Sequence, residues 1–167
     1  MPPLILIGLG ANLDSPLWGA PRDTLTAALV ELATQGVATL ARSGWYRSAP
    51  VPASDQPSFV NAVASMATKL DALPLLALMQ KIEVSFGRRR GERNAARVLD
   101  LDLLDYRGAR VECRDLTLPH PRLHLRRFVL EPLAEIAPQW RHPISGLSAR
   151  QLLGAIGREQ AVERLRP

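Results

Sequence analysis

The spacing of apolar residues changes several times along this chain, and the order of those changes is what most limits how it can fold. Strand-like spacing is expected over residues 4–9, 37–47, 59–69 and 98–106, with a short edge strand over 110–113. Helical spacing is expected over residues 20–33, 73–86, 128–136 and 148–156. The order β-α-β-β-α-β predicts an α+β fold with a ferredoxin-like sheet. The extra C-terminal helices would cover its second face and give three layers, αβα.

Length and charge narrow the class of protein. With 167 residues the chain is expected to form one domain, residues 1–167. Its apolar runs are too short for a bilayer, no basic leader precedes the first strand, and the single cysteine, Cys113, leaves no internal disulfide, so we expect a cytoplasmic protein. The net charge of +5 comes mainly from arginine, which pairs well with phosphate oxygens. Nucleic acid, a nucleotide or the base composition of the genome would each explain it.

Two aspartates in the last strand of the predicted sheet are the strongest candidates for chemistry. Residues two apart in a strand share a face, so Asp100 and Asp102 would point the same way, about 6.6 Å apart along the chain. Leu99, Leu101 and Leu103 would enter the core from the opposite face. Magnesium takes one or two carboxylates and completes its shell with water and phosphate oxygens, and two ions about 3.5–4 Å apart would suit this spacing. A solvated face of an edge strand explains the same pattern equally well.

An arginine-rich segment directly precedes that strand. Residues 87–97 contain five arginines and one acidic residue, Glu92. Such a run is usually a solvated surface, but beside a carboxylate pair it indicates a site for phosphoryl transfer. We expect Arg88–Arg97 to be mobile without ligand and to close as a lid over a bound triphosphate. The sequence has no P-loop motif, so a P-loop nucleotide site is excluded.

Several short motifs follow one another along nearly the whole chain. They are Gly8–Leu13, Tyr46–Pro50, Asp55–Ala62, Glu83–Arg88, Arg97–Asp102, Leu118–Arg122 and Phe128–Pro138. In this order they resemble the 6-hydroxymethyl-7,8-dihydropterin pyrophosphokinases of folate biosynthesis. The resemblance implies a single pyrophosphokinase domain, an ATP-dependent diphosphokinase that uses two Mg²⁺ ions, transfers pyrophosphate from ATP to the pterin hydroxymethyl group and releases AMP. It implies these small molecules as partners, no nucleic acid or membrane, and a monomer or homodimer.

The same resemblance implies roles for individual residues. Catalytic roles fall on Arg88, Arg97, Asp100 and Asp102, with the two aspartates holding the metal. The pterin ring would lie between Phe59 and Phe128, and Asn61 would read its amide edge. Backbone groups near the pterin would come from Ser48, Ala49 and Val51. Contacts with ATP are implied for Gln80, Glu83, Arg90, Leu103, Thr117, His120 and Arg126. Residues 94–96 are Asn-Ala-Ala where the family often has Trp-Gly-Pro, which predicts weaker closure of the lid.

Two other functions agree with parts of the sequence. A small RNA-binding domain of similar fold would place exposed aromatic residues on its central strands, where this chain places carboxylates. A nicotinamide-dependent oxidoreductase would begin at Gly8-x-Gly10, but Leu13 stands where the third glycine of that fingerprint is required. Both functions are therefore less favoured than pyrophosphoryl transfer.

Overall fold

The computed structural model describes residues 3–88 and 96–167. The strands in chain order are β1 (Ile5–Ala11), β2 (Ala38–Arg42), β3 (Tyr46–Ser48), β4 (Phe59–Ala67), β5 (Asp100–Tyr106), β6 (Val111–Glu112), β7 (Thr117–Leu118) and β8 (Val162–Arg164). The α-helices are α1 (Pro21–Thr34), α2 (Ala72–Ser85), α3 (Arg127–Ile136) and α4 (Ala149–Gly154), and a 3₁₀ helix covers Leu123–Leu125. Across the described ranges, no helix has both the length and the apolar character needed to cross a membrane.

The main sheet has six strands in the order β5-β1-β4-β3-β8, and β2 also pairs with β4. Every pairing in it is antiparallel. β2 and β3 share one side of β4: Ala38 pairs with Ala67 at one end, and Ser48 pairs with Phe59 at the other. The central strand β1 thus lies between β4 and β5. This order confirms the predicted ferredoxin-like sheet.

Two hydrophobic cores lie on opposite faces of the sheet, because successive side chains of β1 point to opposite sides. Ile5 and Ile7 pack with residues of α1 and α2, including Leu25. Leu6 packs on the other face with residues of α3 and α4, including Leu130. A strand buried on both faces needs a continuous apolar run, which is what residues 4–7 provide. The helices on both faces confirm the predicted three layers.

Some elements differ from the sequence prediction. The single strand expected over 37–47 is two strands, because the Ser43 hydroxyl accepts a hydrogen bond from Val63 N (3.0 Å) and donates one to the carbonyl of Gly44 (2.8 Å) between them. The edge strand expected over 110–113 is β6, which pairs with β7 in a separate two-stranded sheet. Neither β7 nor β8 was predicted, since both are very short and pair with distant or polar partners.

A β-bulge interrupts the alternation of β5. Leu6 pairs with Asp105 and Ile7 pairs with Leu103, so Leu104 is an extra residue between two residues of β1. Leu104 packs in the core beside α3 and α4, whereas Leu103 packs in the opposite core. The bulge therefore places the second half of β5 one step out of phase with the first half.

Candidate active site

A cleft of about 320 Å³ opens at one end of the main sheet. In an antiparallel sheet the ends of β1 and β3 meet the starts of β4 and β5 at the same edge, so side chains far apart in sequence come together there. The loop before α3 and the two ends of the arginine-rich segment complete the walls. The lining residues are Gly10, Ser48, Ala49, Pro50, Val51, Pro52, Phe59, Asn61, Arg88, Arg97, Asp100, Asp102, His120, Pro121, Arg122, Arg126 and Phe128.

The acidic pair lies at the start of β5. Asp100 and Asp102 both line the cleft, opposite Gly10 and Gly8 of β1. Asp100 Oδ1 accepts a hydrogen bond from Arg88 Nη1 at 3.2 Å, and Asp102 Oδ2 lies 3.7 Å from Arg126 Nη1. The two carboxylates therefore point into one space, and each already has one arginine beside it.

The pKa of Asp102 is shifted by the surroundings of its carboxylate. Burial and, after it, the charge of Asp100 raise the pKa of Asp102 to about 7. Among the described residues there is no group of three histidine, cysteine or acidic side chains placed to hold a metal ion. The protein therefore offers a pair of carboxylate oxygen donors. That donor set fits magnesium, which binds through one or two carboxylates together with substrate phosphates and water.

Glu83 lies beneath the cleft, in the last turn of α2, with 3% of its surface exposed. Its Oε2 accepts a hydrogen bond from Leu101 N at 2.9 Å and forms an ion pair with Arg88. Gly87 follows the helix with φ of 101°, the left-handed conformation expected of a C-cap glycine, and turns the chain so that Arg88 N bonds to Glu83 O at 3.0 Å. Burial raises the pKa of Glu83 to about 7. Glu83 thus positions Arg88 against Asp100.

The six residues expected around a pterin lie together in the cleft. Asn61 is buried, and its Nδ2 donates to Ser48 Oγ at 2.7 Å and to Tyr46 O at 3.5 Å. A Cβ at Gly10 would lie 3.2 Å from Asn61 Oδ1, so the glycine leaves this oxygen uncovered. Phe59 and Phe128 are half-buried. The loop after β3 adds Ala49 and Val51.

His120 lies in the cleft as a neutral imidazole. Burial and the charge of Arg126 lower the pKa of His120 to about 4. Its Nδ1 accepts a hydrogen bond from Arg122 N at 3.1 Å, which leaves the ring proton on Nε2. His120 is therefore an uncharged hydrogen-bond donor beside cationic side chains.

Some predicted ATP contacts are not in the cleft. Leu103 is 3% exposed and its side chain packs in the core, because it alternates with the aspartates along β5, so this side chain does not line the cleft. Gln80 on α2 and Thr117 on β7 are exposed and do not line the cleft. Arg90, and with it the centre of the predicted lid Arg88–Arg97, lies outside the described residues.

Sequence reasoning assigned no role to two residues that the structure brings to the site. Asn12 is buried; its Oδ1 accepts from Arg97 N at 2.7 Å, and its Nδ2 donates to Gln56 Oε1 at 3.1 Å and to Pro57 O at 3.0 Å. Arg122 lines the cleft directly. Both lie in motifs that carry the resemblance, Gly8–Leu13 and Leu118–Arg122. Their place in a shared motif is the signal by which the sequence could have identified them.

Both the sequence and the fold of this chain are similar to those of known proteins. Residues 6–138 match the family described as 7,8-dihydro-6-hydroxymethylpterin-pyrophosphokinase. The 2-amino-4-hydroxy-6-hydroxymethyldihydropteridine pyrophosphokinase of Methylorubrum extorquens is 40% identical over 151 residues, covering 90% of this chain and 91% of that protein. The protein of the same name from Pseudomonas aeruginosa is 39% identical over 162 residues, covering 96% of each. A crystal structure of an HPPK-DHPS protein in complex with substrates shares the fold, with a TM-score of 0.70 and 12% identity over 93% of this chain and 43% of its own.

Proposed function

This chain belongs to the 7,8-dihydro-6-hydroxymethylpterin-pyrophosphokinase family and is a pyrophosphokinase of the folate pathway; from this premise we propose how its cleft performs the transfer. ATP and 6-hydroxymethyl-7,8-dihydropterin bind in the same cleft. The pterin hydroxyl oxygen forms a bond to the β-phosphorus of ATP while the bond between that phosphorus and the oxygen shared with the α-phosphate breaks. The hydroxyl proton passes to solvent, and AMP departs with the bridging oxygen.

One observation carries this proposal. A pair of carboxylates with arginines beside them and a buried amide flanked by aromatic residues open into one cleft of about 320 Å³. The first group suits a metal-bound polyphosphate, and the second suits a flat heterocycle with hydrogen-bonding edges. Transfer between two substrates needs both kinds of surface within reach of each other.

Asp100 and Asp102 would hold the magnesium, for which we propose two ions. Bound magnesium supplies positive charge that stabilises the charge on the transferring phosphate oxygens. The chain places both carboxylates on one face of β5 and supports Asp100 with Arg88. Burial and the charge of Asp100 raise the pKa of Asp102 to about 7, which favours its protonated form. A cation bound at this position would favour loss of that proton.

The phosphates would be bound by Arg88, Arg97 and Arg126, which line the cleft. Charge-assisted hydrogen bonds from guanidinium groups to phosphate oxygens are shorter and stronger than neutral ones. His120 would add a neutral donor from Nε2, and Glu83 would position Arg88 rather than contact ATP. Contacts of ATP with Gln80, Arg90, Leu103 and Thr117 stay predictions.

The pterin would lie between Phe59 and Phe128, with Asn61 at its amide edge. The hydrogen bonds of Asn61 Nδ2 to Ser48 and Tyr46 favour this arrangement, since they direct the acceptor Oδ1 toward the ligand. Backbone groups of Ser48, Ala49 and Val51 would contact the same edge. A single domain over residues 1–167, a cytoplasmic location and a state of monomer or homodimer stay predictions.

The proposal is tested by replacing each carboxylate. Asp100→Asn and Asp102→Asn should each lower the rate of AMP release from ATP and hydroxymethyl-dihydropterin by about two or more orders of magnitude, because each removes a metal ligand. Asp115→Asn, an exposed aspartate in the hairpin of β6 and β7, is the matched control and should retain the wild-type rate. Near-normal AMP release by both cleft variants, with unchanged circular dichroism, would refute the metal-binding role.

A further inference from the structure

The arginines that line the cleft differ in whether they already form ion pairs with carboxylates of the protein. Arg88 is paired with Glu83 and Asp100, and Arg126 is paired with Asp102 at 3.7 Å and lies over the ring of Phe128 at 5.5 Å. Within residues 3–88 and 96–167, the side chains of Arg97, already assigned to the phosphates, and of Arg122 form no ion pair. Arg122 therefore brings a positive charge to the cleft wall that no carboxylate of the described chain offsets.

The backbone of Arg122 is well anchored. Its N–H donates to His120 Nδ1 at 3.1 Å, and its carbonyl accepts from Leu125 N at 3.0 Å. The next residue, Leu123, is completely buried in the core beside α3 and α4. Arg122 thus lines the cleft as an exposed residue on a fixed turn, so little backbone entropy would be lost when it binds a ligand.

The charge of Arg122 acts inside the cleft. Burial contributes most to the lowered pKa of His120; the positive charges of Arg126 and, more weakly, Arg122 lower it further, whereas the negative charge of Asp100 raises it. Two cationic side chains therefore raise the electrostatic potential at one point of the wall. An anion bound there would interact favourably with both.

We propose that Arg122 is a further binding residue for the triphosphate of ATP, acting beside His120 and Arg126. The proposal rests on the proposed function, since it assigns one more contact to the same substrate. A guanidinium without a carboxylate partner favours an anion, and the triphosphate is the polyanion of this reaction whereas the pterin is uncharged. Arg122 would bind phosphate oxygens through its planar pair of N–H donors and take no part in bond making.

The test compares three variants by steady-state kinetics and by calorimetric titration with magnesium and a non-hydrolysable ATP analogue. Arg122→Ala should raise both KM for ATP and Kd for the analogue about 5- to 20-fold and leave KM for the pterin within about twofold. Arg122→Lys should lie between Arg122→Ala and the wild type, because it keeps the charge but loses the fork. Arg150→Ala removes the same charge from exposed α4 and should match the wild type.

Wild-type values of KM and Kd in Arg122→Ala would overturn the inference, and so would equal increases for ATP and pterin, which indicate a disturbed fold. A fall in affinity of the same size in Arg150→Ala would also overturn it, since net charge would then explain the effect. If the wild type releases no AMP, the proposed function fails, yet the titration still decides whether Arg122 binds the triphosphate.

Discussion

At the scale of single residues, Asn61 shows how buried hydrogen bonds select the polarity of a binding surface. The carbonyl of Tyr46 can only accept, so the side-chain atom of Asn61 that faces it must be Nδ2. Ser48 Oγ accepts a second hydrogen bond from Nδ2 at 2.7 Å. The amide oxygen is consequently directed toward Gly10 and the cleft, where it is placed to accept hydrogen bonds from N–H groups of the proposed pterin ligand.

Asn61→Ala should weaken pterin binding by about 1–3 kcal/mol, because donors on the buried edge of the ligand lose their acceptor. Affinity for an ATP analogue should change by less than about twofold. Ser65→Ala is a suitable control, since Ser65 is buried in the same strand but does not line the cleft. Titration calorimetry that shows unchanged pterin affinity in Asn61→Ala would place the pterin elsewhere.

At the scale of elements, the bulge in β5 links the active-site strand to the segment after α3. By shifting the phase of the strand, it directs the buried Asp105 to that side, where Oδ2 accepts from Trp140 Nε1 at 2.8 Å and Oδ1 accepts from Gly108 N at 3.0 Å. The ring of His142 contacts Trp140 edge-on. Its Nδ1 accepts from the backbone N–H groups of Ile144 and Ser145, both at 3.2 Å. The second half of β5 and the C-terminal region are thereby joined.

This contact predicts a pH dependence of stability. Burial, with a smaller contribution from His124, lowers the pKa of His142 below its ordinary value of 6.5. As pH falls through about 6.5, the unfolded chain takes up a proton that the folded protein does not, so the free energy of unfolding decreases. His142→Asn keeps an acceptor for the two backbone donors but cannot titrate. The free energy of unfolding of this variant should decrease less steeply between about pH 7 and pH 5 than that of the wild type. The two slopes should differ by at most about 1.4 kcal/mol per pH unit.

Urea unfolding at a series of pH values measures this difference directly. Titrating groups that do not interact with His142, including His120, contribute equally in both proteins and cancel in the comparison. Parallel curves for wild type and His142→Asn over this range would contradict the prediction.

At the scale of the whole molecule, the side chain of Glu135 connects three separate segments of the chain, one of which is the C-terminal strand β8. Glu135 of α3 accepts hydrogen bonds from Tyr46 Oη at 2.7 Å, from Gly44 N at 2.8 Å and from Arg164 Nε at 3.0 Å. These groups belong to β3, to the turn before it and to β8. Because Ser48 pairs with Val162, β8 also supports the strand end that leads into the cleft beside Asn61.

Glu135→Ala should lower the free energy of unfolding by about 1–3 kcal/mol, since several donors lose one shared acceptor. Glu131→Ala is the matched control: it lies one turn earlier on α3 and forms a single ion pair with Arg127, so it should cost no more than about 0.5 kcal/mol. Equal decreases in the free energy of unfolding for the two variants, measured by urea unfolding, would contradict the prediction. They would show that the hydrogen bonds to Glu135 stabilise the protein no more than a single ion pair does.

Sequence patterns predicted the parts of this fold that depend on local spacing. The order of the first helices and strands and the shared face of Asp100 and Asp102 follow from periodicity, which each segment carries in itself. The position of β8 and the bulge at Leu104 depend on pairing between distant segments, which spacing does not encode, and β7 is too short to show a periodicity of its own. The binding role proposed for Arg122 could not be predicted from the sequence. It depends on which arginines of the cleft already form ion pairs, and only the folded structure shows this.

The placement of β1 also has a consequence for synthesis on the ribosome. This strand precedes β4 and β5 in the chain and is made before them, yet in the sheet it lies between the two, and Ile5 pairs with Tyr106. A nascent chain that ends before residue 106 therefore leaves one edge of its central strand unpaired and the apolar residues of that strand partly uncovered. The carboxylate pair of Asp100 and Asp102 is made in the same segment that closes this edge, so the acidic half of the cleft and the completed sheet centre arise together.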